Sequence, residues 1–164
     1  MNVTPEITQR AAQPYVGISS WVPMAAVGSV ADRIPEIFGW LGARGITPAG
    51  PPFFRYHVID MDRQLLVEAG VPVVSAMSDA DDIRAGTLPA GRFAVVTHTG
   101  APDTLVAATA ALRDWAEANG LAWDMTPTEE GEKWGCRVEF YLTDPAEEPD
   151  TTKWQTQLAF RLAD

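Results

Sequence analysis

The amino-acid sequence predicts an α+β fold that contains a duplicated β-α-β-β unit. The segment Trp40–Ile46 (WLGARGI) recurs as Trp115–Leu121 (WAEANGL), 75 residues further along the chain. The same offset aligns two short strand-like runs, Ile18–Pro23 and Phe93–His98. In both halves a stretch with helical periodicity follows the first run, and two more extended runs follow that stretch. Several elements in the same order at a fixed spacing are typical of an internal repeat.

In the first half, approximately residues 8–74, a helix is predicted between Ser29 and Arg44. Ser29 is a residue type that favours the N-cap position, and Pro35 is compatible with the first turn of a helix that starts later. The two strands after this helix are predicted at Phe53–Asp60 and Gln64–Val73. The helix would pack on a sheet through apolar residues at helical spacing, namely Val30, Ile34, Ile37, Phe38 and Leu41.

In the second half, approximately residues 90–162, the helix is predicted from about Asp103 to Asn119, with Pro102 in its start signal. The two strands after it are predicted at Cys136–Asp144 and Trp154–Leu162. The inward face of the helix would carry Leu105, Ala108, Leu112 and Ala116.

Three polar segments are interpreted as connections. Ser75–Ala90 is rich in turn-forming residues and contains three aspartates, but it lacks the glycine and closing glutamate of an EF-hand loop. We therefore interpret it as a solvated linker between the repeats. Thr126–Lys133 is predicted to be an acidic loop, and Ala146–Thr152 is predicted to be the turn between the last two strands.

Composition indicates one domain over residues 1–164, because this length and a hydrophobic content of 46% suffice for a buried core. The formal net charge of −10 argues against a nucleic-acid surface and against an anionic membrane. The single cysteine, Cys136, excludes an intramolecular disulfide and is expected to be a small buried residue. No apolar run is long enough to span a membrane, and Met1–Arg10 lacks signal-peptide features, so a cytoplasmic protein is expected.

Glu139 is the most informative residue, because it interrupts the apolar strand predicted at Cys136–Asp144. Side chains alternate along a strand, so Glu139 shares its face with Arg137, Tyr141 and Thr143. A carboxylate beside an aromatic ring suits a flat organic cation, since the acid supplies charge and the ring supplies apolar area and a negative π-face. The alternative interpretation is a solvated glutamate on the polar face of a half-exposed strand.

Recognisable catalytic motifs are absent from the sequence. It contains no nucleophile elbow, no phosphate-binding glycine loop and no HExxH zinc motif. His57 and His98 lack cysteine or carboxylate partners at metal-ligand spacing, so structural roles are expected and neither a metal nor a cofactor is predicted. Glu139 could act as a general base if burial raised its pKa. Enzymatic activity therefore stays open, although a ligand-binding protein is the favoured interpretation.

Five segments in a specific order resemble one known family. They are Phe54–His57, Val67–Val73, Arg92–Gly100, Glu139–Pro145 and Lys153–Phe160. Together they resemble the GyrI-like family, the effector-binding domain attached to many bacterial AraC-type and MerR-type regulators. The resemblance extends from about Thr8 to Leu162.

The resemblance implies one antiparallel sheet with both helices on one face and an aromatic cleft at a pseudo-twofold axis between them. Glu139 matches the buried glutamate of drug-sensing members, and Tyr56 matches the usual strand tyrosine of the family. The chain departs from the family pattern at Gln157, which is often glutamate, and at Arg161, which replaces a frequent proline. No DNA-binding helix-turn-helix is expected before the domain, so a stand-alone binder without direct nucleic-acid contact is predicted.

Three functions are compatible with the sequence. The favoured one is polyspecific binding of bulky, aromatic, often cationic small molecules, in multidrug sequestration, resistance or sensing. The first alternative is hydrolysis of cyclopropane-containing DNA-alkylating natural products, with Glu139 directing water, as in some members of the family that the chain resembles. The second alternative is inhibition of DNA gyrase through a protein contact. Six tryptophans favour the first two functions, because rigid aromatic side chains suit stacking pockets.

Eight side chains are predicted to form the ligand site. Glu139 supplies the charge, and rings on the strands and on the flanks of the helices supply apolar surface. These rings belong to Tyr141, Tyr56, Trp21, Phe53, Trp134, Phe38 and Trp115. Trp40, on the flank of the first helix, would either fill the core or wall the same groove.

Overall fold

A computed structural model describes residues 4–163, so Met1–Val3 and Asp164 of the predicted domain lie outside the described part. Ten strands form one antiparallel sheet. They are β1 (Glu6–Arg10), β2 (Gln13–Val22), β3 (Phe53–Ile59), β4 (Leu65–Pro72), β5 (Arg84–Leu88), β6 (Gly91–Thr99), β7 (Met125–Thr128), β8 (Gly131–Trp134), β9 (Arg137–Tyr141) and β10 (Gln155–Arg161). The α-helices are α1 (Val27–Ala31), α2 (Ile34–Ala43) and α3 (Leu105–Ala118).

The main path of the sheet runs β1-β6-β10-β9-β3-β4-β2-β5, and the β7–β8 hairpin attaches to β3. Strands β3 and β9 pair at the middle of this path, where Phe54 lies opposite Glu139. On its other side Glu139 lies opposite Leu158 of β10. Glu139 therefore lies on a central strand of the sheet. The strands and helices together confirm the predicted α+β class.

The first predicted helix is divided in two. The break lies at Asp32 and Arg33, and Pro35 follows in the first turn of α2, where its missing N–H costs no helical hydrogen bond. The Ser29 N-cap prediction is wrong, because Ser29 lies inside α1 and its hydroxyl donates back to the Ala26 carbonyl at 2.6 Å. The helix in the second half is close to its prediction, beginning at Leu105 after a single 3₁₀ turn.

The side of the sheet that carries Phe54 and Leu158 is called the helix face here. Ile37 and Leu41 of α2 pack with Phe54 and Ala69, while Leu112 of α3 packs with Leu158. Glu139 is paired with Phe54 of β3 on one side and with Leu158 of β10 on the other. Residues paired across neighbouring strands point to the same face, so Glu139 points to the helix face. No helix within residues 4–163 has the length and apolarity needed to cross a membrane.

The opposite face carries a second apolar cluster and is called the open face here. This cluster contains Tyr15, Phe53, Leu88, Phe93, Val95, Cys136, Val138, Phe140 and Ala159. Cys136 is fully buried there beside Val138, as predicted.

Two of the three connection predictions are wrong. The segment Ser75–Ala90 contains β5, which pairs with β2, and Thr126–Lys133 forms most of the β7–β8 hairpin. β1 was not predicted either, although it pairs with β6 along its whole length. These strands are polar and exposed along much of their length, so their sequences lack the apolar pattern that predicts a strand. Backbone hydrogen bonds to a neighbouring strand hold them in place.

Candidate functional site

Glu139 is a buried carboxylate with little polar support. Its exposure is 8%, and its side chain accepts a hydrogen bond from Tyr141 Oη, with 3.3 Å between that oxygen and Glu139 Oε2. Among residues 4–163 no lysine, arginine or histidine forms an ion pair with it. Tyr141 lies two positions along the same strand, which places both side chains on the helix face.

Burial governs the acid–base behaviour of this site. Desolvation raises the pKa of Glu139 from 4.5 to about 7, against smaller opposing effects of Arg137 and of the Tyr141 hydrogen bond. Burial also raises the pKa of Tyr56 and Tyr141 well above their usual range, and the nearby Glu139 charge adds to that effect. Near neutral pH, Glu139 is thus poised between its acid and its carboxylate, while both phenols keep their protons.

Arg137 lies beside Glu139 on the same face and stacks on aromatic rings. Its guanidinium carbon is 4.7 Å from the ring centroid of Phe160, 4.8 Å from that of Trp134 and 5.5 Å from that of Tyr56. Burial, followed by repulsion from Arg113, lowers the pKa of Arg137 to about 10. Its Nε is buried without a hydrogen-bond partner in the described part of the chain. These rings therefore already surround a cation, which belongs to the protein itself.

An open cavity of about 500 Å³ adjoins Arg137 on the α3 side of the sheet. Its wall includes Arg113 of α3, Ile59 at the end of β3, and Gly131 and Glu132 of β8. The cavity opens to solvent, and Arg137 is the lining residue that also stacks on the aromatic rings near Glu139.

The structure brings three of the predicted rings close to the acid or to its arginine neighbour. Tyr141 donates a hydrogen bond to Glu139, and the charge of Glu139 contributes to the raised pKa of Tyr56. Trp134 stacks against the Arg137 guanidinium. Trp134 is only 3% exposed, so it forms part of the wall and not of the surface.

Two predicted rings lie on the wrong face of the sheet. Phe53 points into the open-face cluster, next to Tyr15 and Phe140, because the neighbouring residue Phe54 takes the helix face. Trp21 alternates with Ile18 and Val22, which pack on the helix side, so its ring leaves from the open face. Neither ring can stack on a ligand held at Glu139.

The two predicted helix aromatics lie on α2 and α3. Phe38 of α2 is 37% exposed, and Trp115 of α3 packs against the cluster around Leu112. Trp40 is partly buried against the α2 core, with the Arg44 guanidinium 3.9 Å from its ring centroid.

The histidines bond to protein groups, and among residues 4–163 no cluster of three His, Cys, Asp or Glu side chains could hold a metal ion. His57 Nε2 lies 2.8 Å from Glu68 Oε1, and His98 Nε2 lies 2.6 Å from Thr104 Oγ1. Arg137, Phe160 and Arg113 belong to the surroundings of Glu139 but were not among the predicted site residues. A single arginine on a helix carries no local signal for a strand site that it meets only in the folded chain.

Comparisons with known proteins agree with this architecture. The model of the GyrI-like small molecule binding domain matches residues 4–163. A comparison with curated proteins found no sequence that matches this chain. The EcmrR C-terminal domain has a TM-score of 0.76 and 19% identity, with 98% of each chain covered. In the EcmrR–DNA complex, the matched region spans 57% of the longer EcmrR chain.

Two further structures share the fold at low identity. SAV2435, solved with tetraphenylphosphonium bound, has a TM-score of 0.68 and 12% identity, with 98% of this chain and 94% of that chain covered. A hydrolase from Listeria innocua has a TM-score of 0.65 and 12% identity, with 97% of this chain and 91% of that chain covered. At such identities these neighbours show the fold alone.

Proposed function

Because the chain belongs to the GyrI-like small molecule binding domain family, we propose that it binds bulky aromatic cations on the helix face, against Glu139. The observation that carries this proposal is a buried carboxylate without an ion-pair partner in residues 4–163, beside two tyrosines. A ligand cation would form the direct ion pair that this carboxylate lacks within the protein. It would be held by the carboxylate and by ring surface that is already desolvated.

We further infer that Arg137 occupies the cation position until a ligand arrives. Its guanidinium stacks on the rings of Tyr56, Trp134 and Phe160, which is the environment that an aromatic cation would seek. The adjoining cavity of about 500 Å³ gives the arginine side chain room to move aside. Ligand entry would then exchange one stacked cation for another, with Glu139 ionised in the complex.

The sheet is the basis for the proposed cleft. The central six strands lie in the order β2-β4-β3-β9-β10-β6, so the first three come from the first half of the sequence and the last three from the second half. Each group of three contains one strand before the helix of its half and two strands after it. We propose that each half is one copy of the β-α-β-β unit and that the cleft follows the junction of β3 and β9 between the helices. A polyspecific site at this junction would serve sequestration or sensing of drugs.

Tetraphenylphosphonium is a suitable probe, because it is a bulky aromatic cation and is the ligand bound by SAV2435. Calorimetric titration of the wild type and of Glu139→Gln is expected to show an affinity loss of about tenfold or more, since contacts with a charged group are worth about 1.5–3 kcal/mol. Neutral triphenylphosphine oxide should bind both proteins alike. Affinity for the cation should also fall as the pH drops below about 7, where Glu139 becomes protonated.

Glu68→Gln is the matched control, because Glu68 is the other buried glutamate and lies near Tyr15 of the open face. It should leave tetraphenylphosphonium affinity unchanged. Equal losses in the two variants, or an affinity independent of Glu139, would contradict the proposed site.

A hydrolase is the second candidate function, and one observation favours it. A carboxyl group with a pKa near 7 suits general base catalysis at neutral pH, and the Tyr141 hydroxyl beside it could orient water. The candidate substrates are the cyclopropane-containing alkylating compounds. Glu139→Gln would then abolish turnover of such a compound but spare its binding, whereas a pure binder would show no turnover with either protein.

A further inference from the structure

The open face of the sheet contains a second cavity, on the side of the sheet opposite to Glu139. Its volume is about 420 Å³, which lies within the range of small-molecule sites. The wall is mostly apolar and combines β-sheet residues with proline-rich loops. One basic residue and five apolar residues form the part of the wall contributed by the sheet, namely Arg10, Leu88, Phe93, Cys136, Val138 and Phe140.

The charge of this cavity is opposite to that of the protein. The chain has 22 acidic and 12 basic residues, yet no aspartate or glutamate lines the cavity and Arg10 is its one charged lining residue within residues 4–163. A ligand that enters would therefore meet a positive group in an apolar surrounding. An anionic head would be attracted there, and a cationic head would be repelled.

Arg10 is oriented toward this cavity without an acidic partner. One terminal nitrogen donates to Gln157 Oε1 at 2.7 Å, and no other side-chain hydrogen bond or ion pair of Arg10 is found in the described part of the chain. The guanidinium carbon lies 5.7 Å from the Phe93 ring centroid and 5.6 Å from that of Phe140. Burial lowers the pKa of Arg10, but a guanidinium stays charged at neutral pH.

We propose that this cavity binds an amphipathic monocarboxylate, with its carboxylate on Arg10 and its apolar tail against Phe93, Val138 and Phe140. The planar guanidinium matches a carboxylate in two-point geometry, and its remaining N–H groups are available for that contact. The rings and aliphatic side chains then cover the tail. This site is separate from the proposed cation site, because Val138 and Phe140 alternate with Glu139 along β9 and point to the other face.

Three ligands with one chain length test the proposal: dodecanoate, dodecanol and dodecylammonium, each kept below its micelle-forming concentration. Calorimetry should show the tightest binding for dodecanoate. In methyl NMR spectra, dodecanoate should shift Leu88 and Val138 and leave Val67 and Leu41 of the helix side unchanged. Shifts confined to the helix side, or equal binding of the three ligands, would overturn the proposal.

Variants test the role of the guanidinium. Arg10→Gln should weaken dodecanoate binding about tenfold or more, while Arg84→Gln, which removes an exposed arginine from β5, should leave it unchanged. Arg10→Lys should give an intermediate loss, because it keeps the charge but not the planar fork. Equal losses in Arg84→Gln and Arg10→Gln would refute the Arg10 contact. If Arg10→Gln does not fold, the lysine variant and the wild-type methyl shifts still decide the outcome.

Discussion

Replacing Glu139 by glutamine is expected to make the protein more stable than the wild type at pH 8 but not at pH 4.5. The folded-state pKa of Glu139 is about 7 against an ordinary value of 4.5, because burial disfavours its charged form. Protonated Glu139 is therefore fully compatible with the fold below pH 4.5. As the pH rises from 4.5 through about 7, the unfolded protein releases the Glu139 proton before the folded protein does, and the wild type loses stability over this range. The difference between the two pKa values corresponds to about 3 kcal/mol of unfolding free energy.

Urea unfolding of the two proteins at pH 4.5, 6 and 8 measures this difference, with the free energies extrapolated to water. Comparing the pair cancels the titration of the other acids and histidines. Arg137, Tyr56 and Tyr141 keep their protonation states over this range, because burial leaves the pKa of Arg137 at about 10 and raises those of both phenols. The stability gap should shift by about 3 kcal/mol in favour of glutamine between pH 4.5 and 8. A gap independent of pH would refute the argument that Glu139 is desolvated in the folded protein.

Three other substitutions follow from the packing. Arg137→Met should tighten tetraphenylphosphonium binding by calorimetry, because it removes the stacked competitor, and unchanged or weaker binding would count against displacement. Phe53→Leu should lower the thermal midpoint but keep cation affinity, because the ring packs on the open face; an affinity loss in the folded variant would return Phe53 to the site. Gly70→Ala should cost about 1–3 kcal/mol in urea unfolding, since its Cβ would collide with the Phe53 ring. Gly50→Ala, with only ordinary contacts to a proline, is its control and should melt like the wild type.

Much of the sheet was predictable, because apolar strands carry their pattern locally. The strands around Phe54 and Glu139 lie within a few residues of their predictions. The edge strands β1 and β5 were missed, since their stability comes from backbone pairing with a neighbour that the sequence does not name. Alternation along β9 correctly grouped Glu139 with Tyr141, but the same rule cannot say which residues of another strand share that face.

The errors at Phe53 and Trp21 have this origin. Choosing between Phe53 and Phe54 requires the register of β3 against β9, and a shift of one residue exchanges the two faces. That register depends on long-range pairing. The position of Arg113 beside Arg137 likewise depends on how α3 crosses the sheet.

The stacking of Arg137 has a consequence for selectivity. If a cation binds at Glu139 as proposed, the Arg137 side chain on the same strand would compete with it at a fixed, high effective concentration that dilution cannot reduce. A small cation with one ring would gain too little contact to displace it. A compound with several rings would replace every contact that the guanidinium gives up and add more. Discrimination by ligand size would then arise from competition within the protein, without any steric barrier at the entrance.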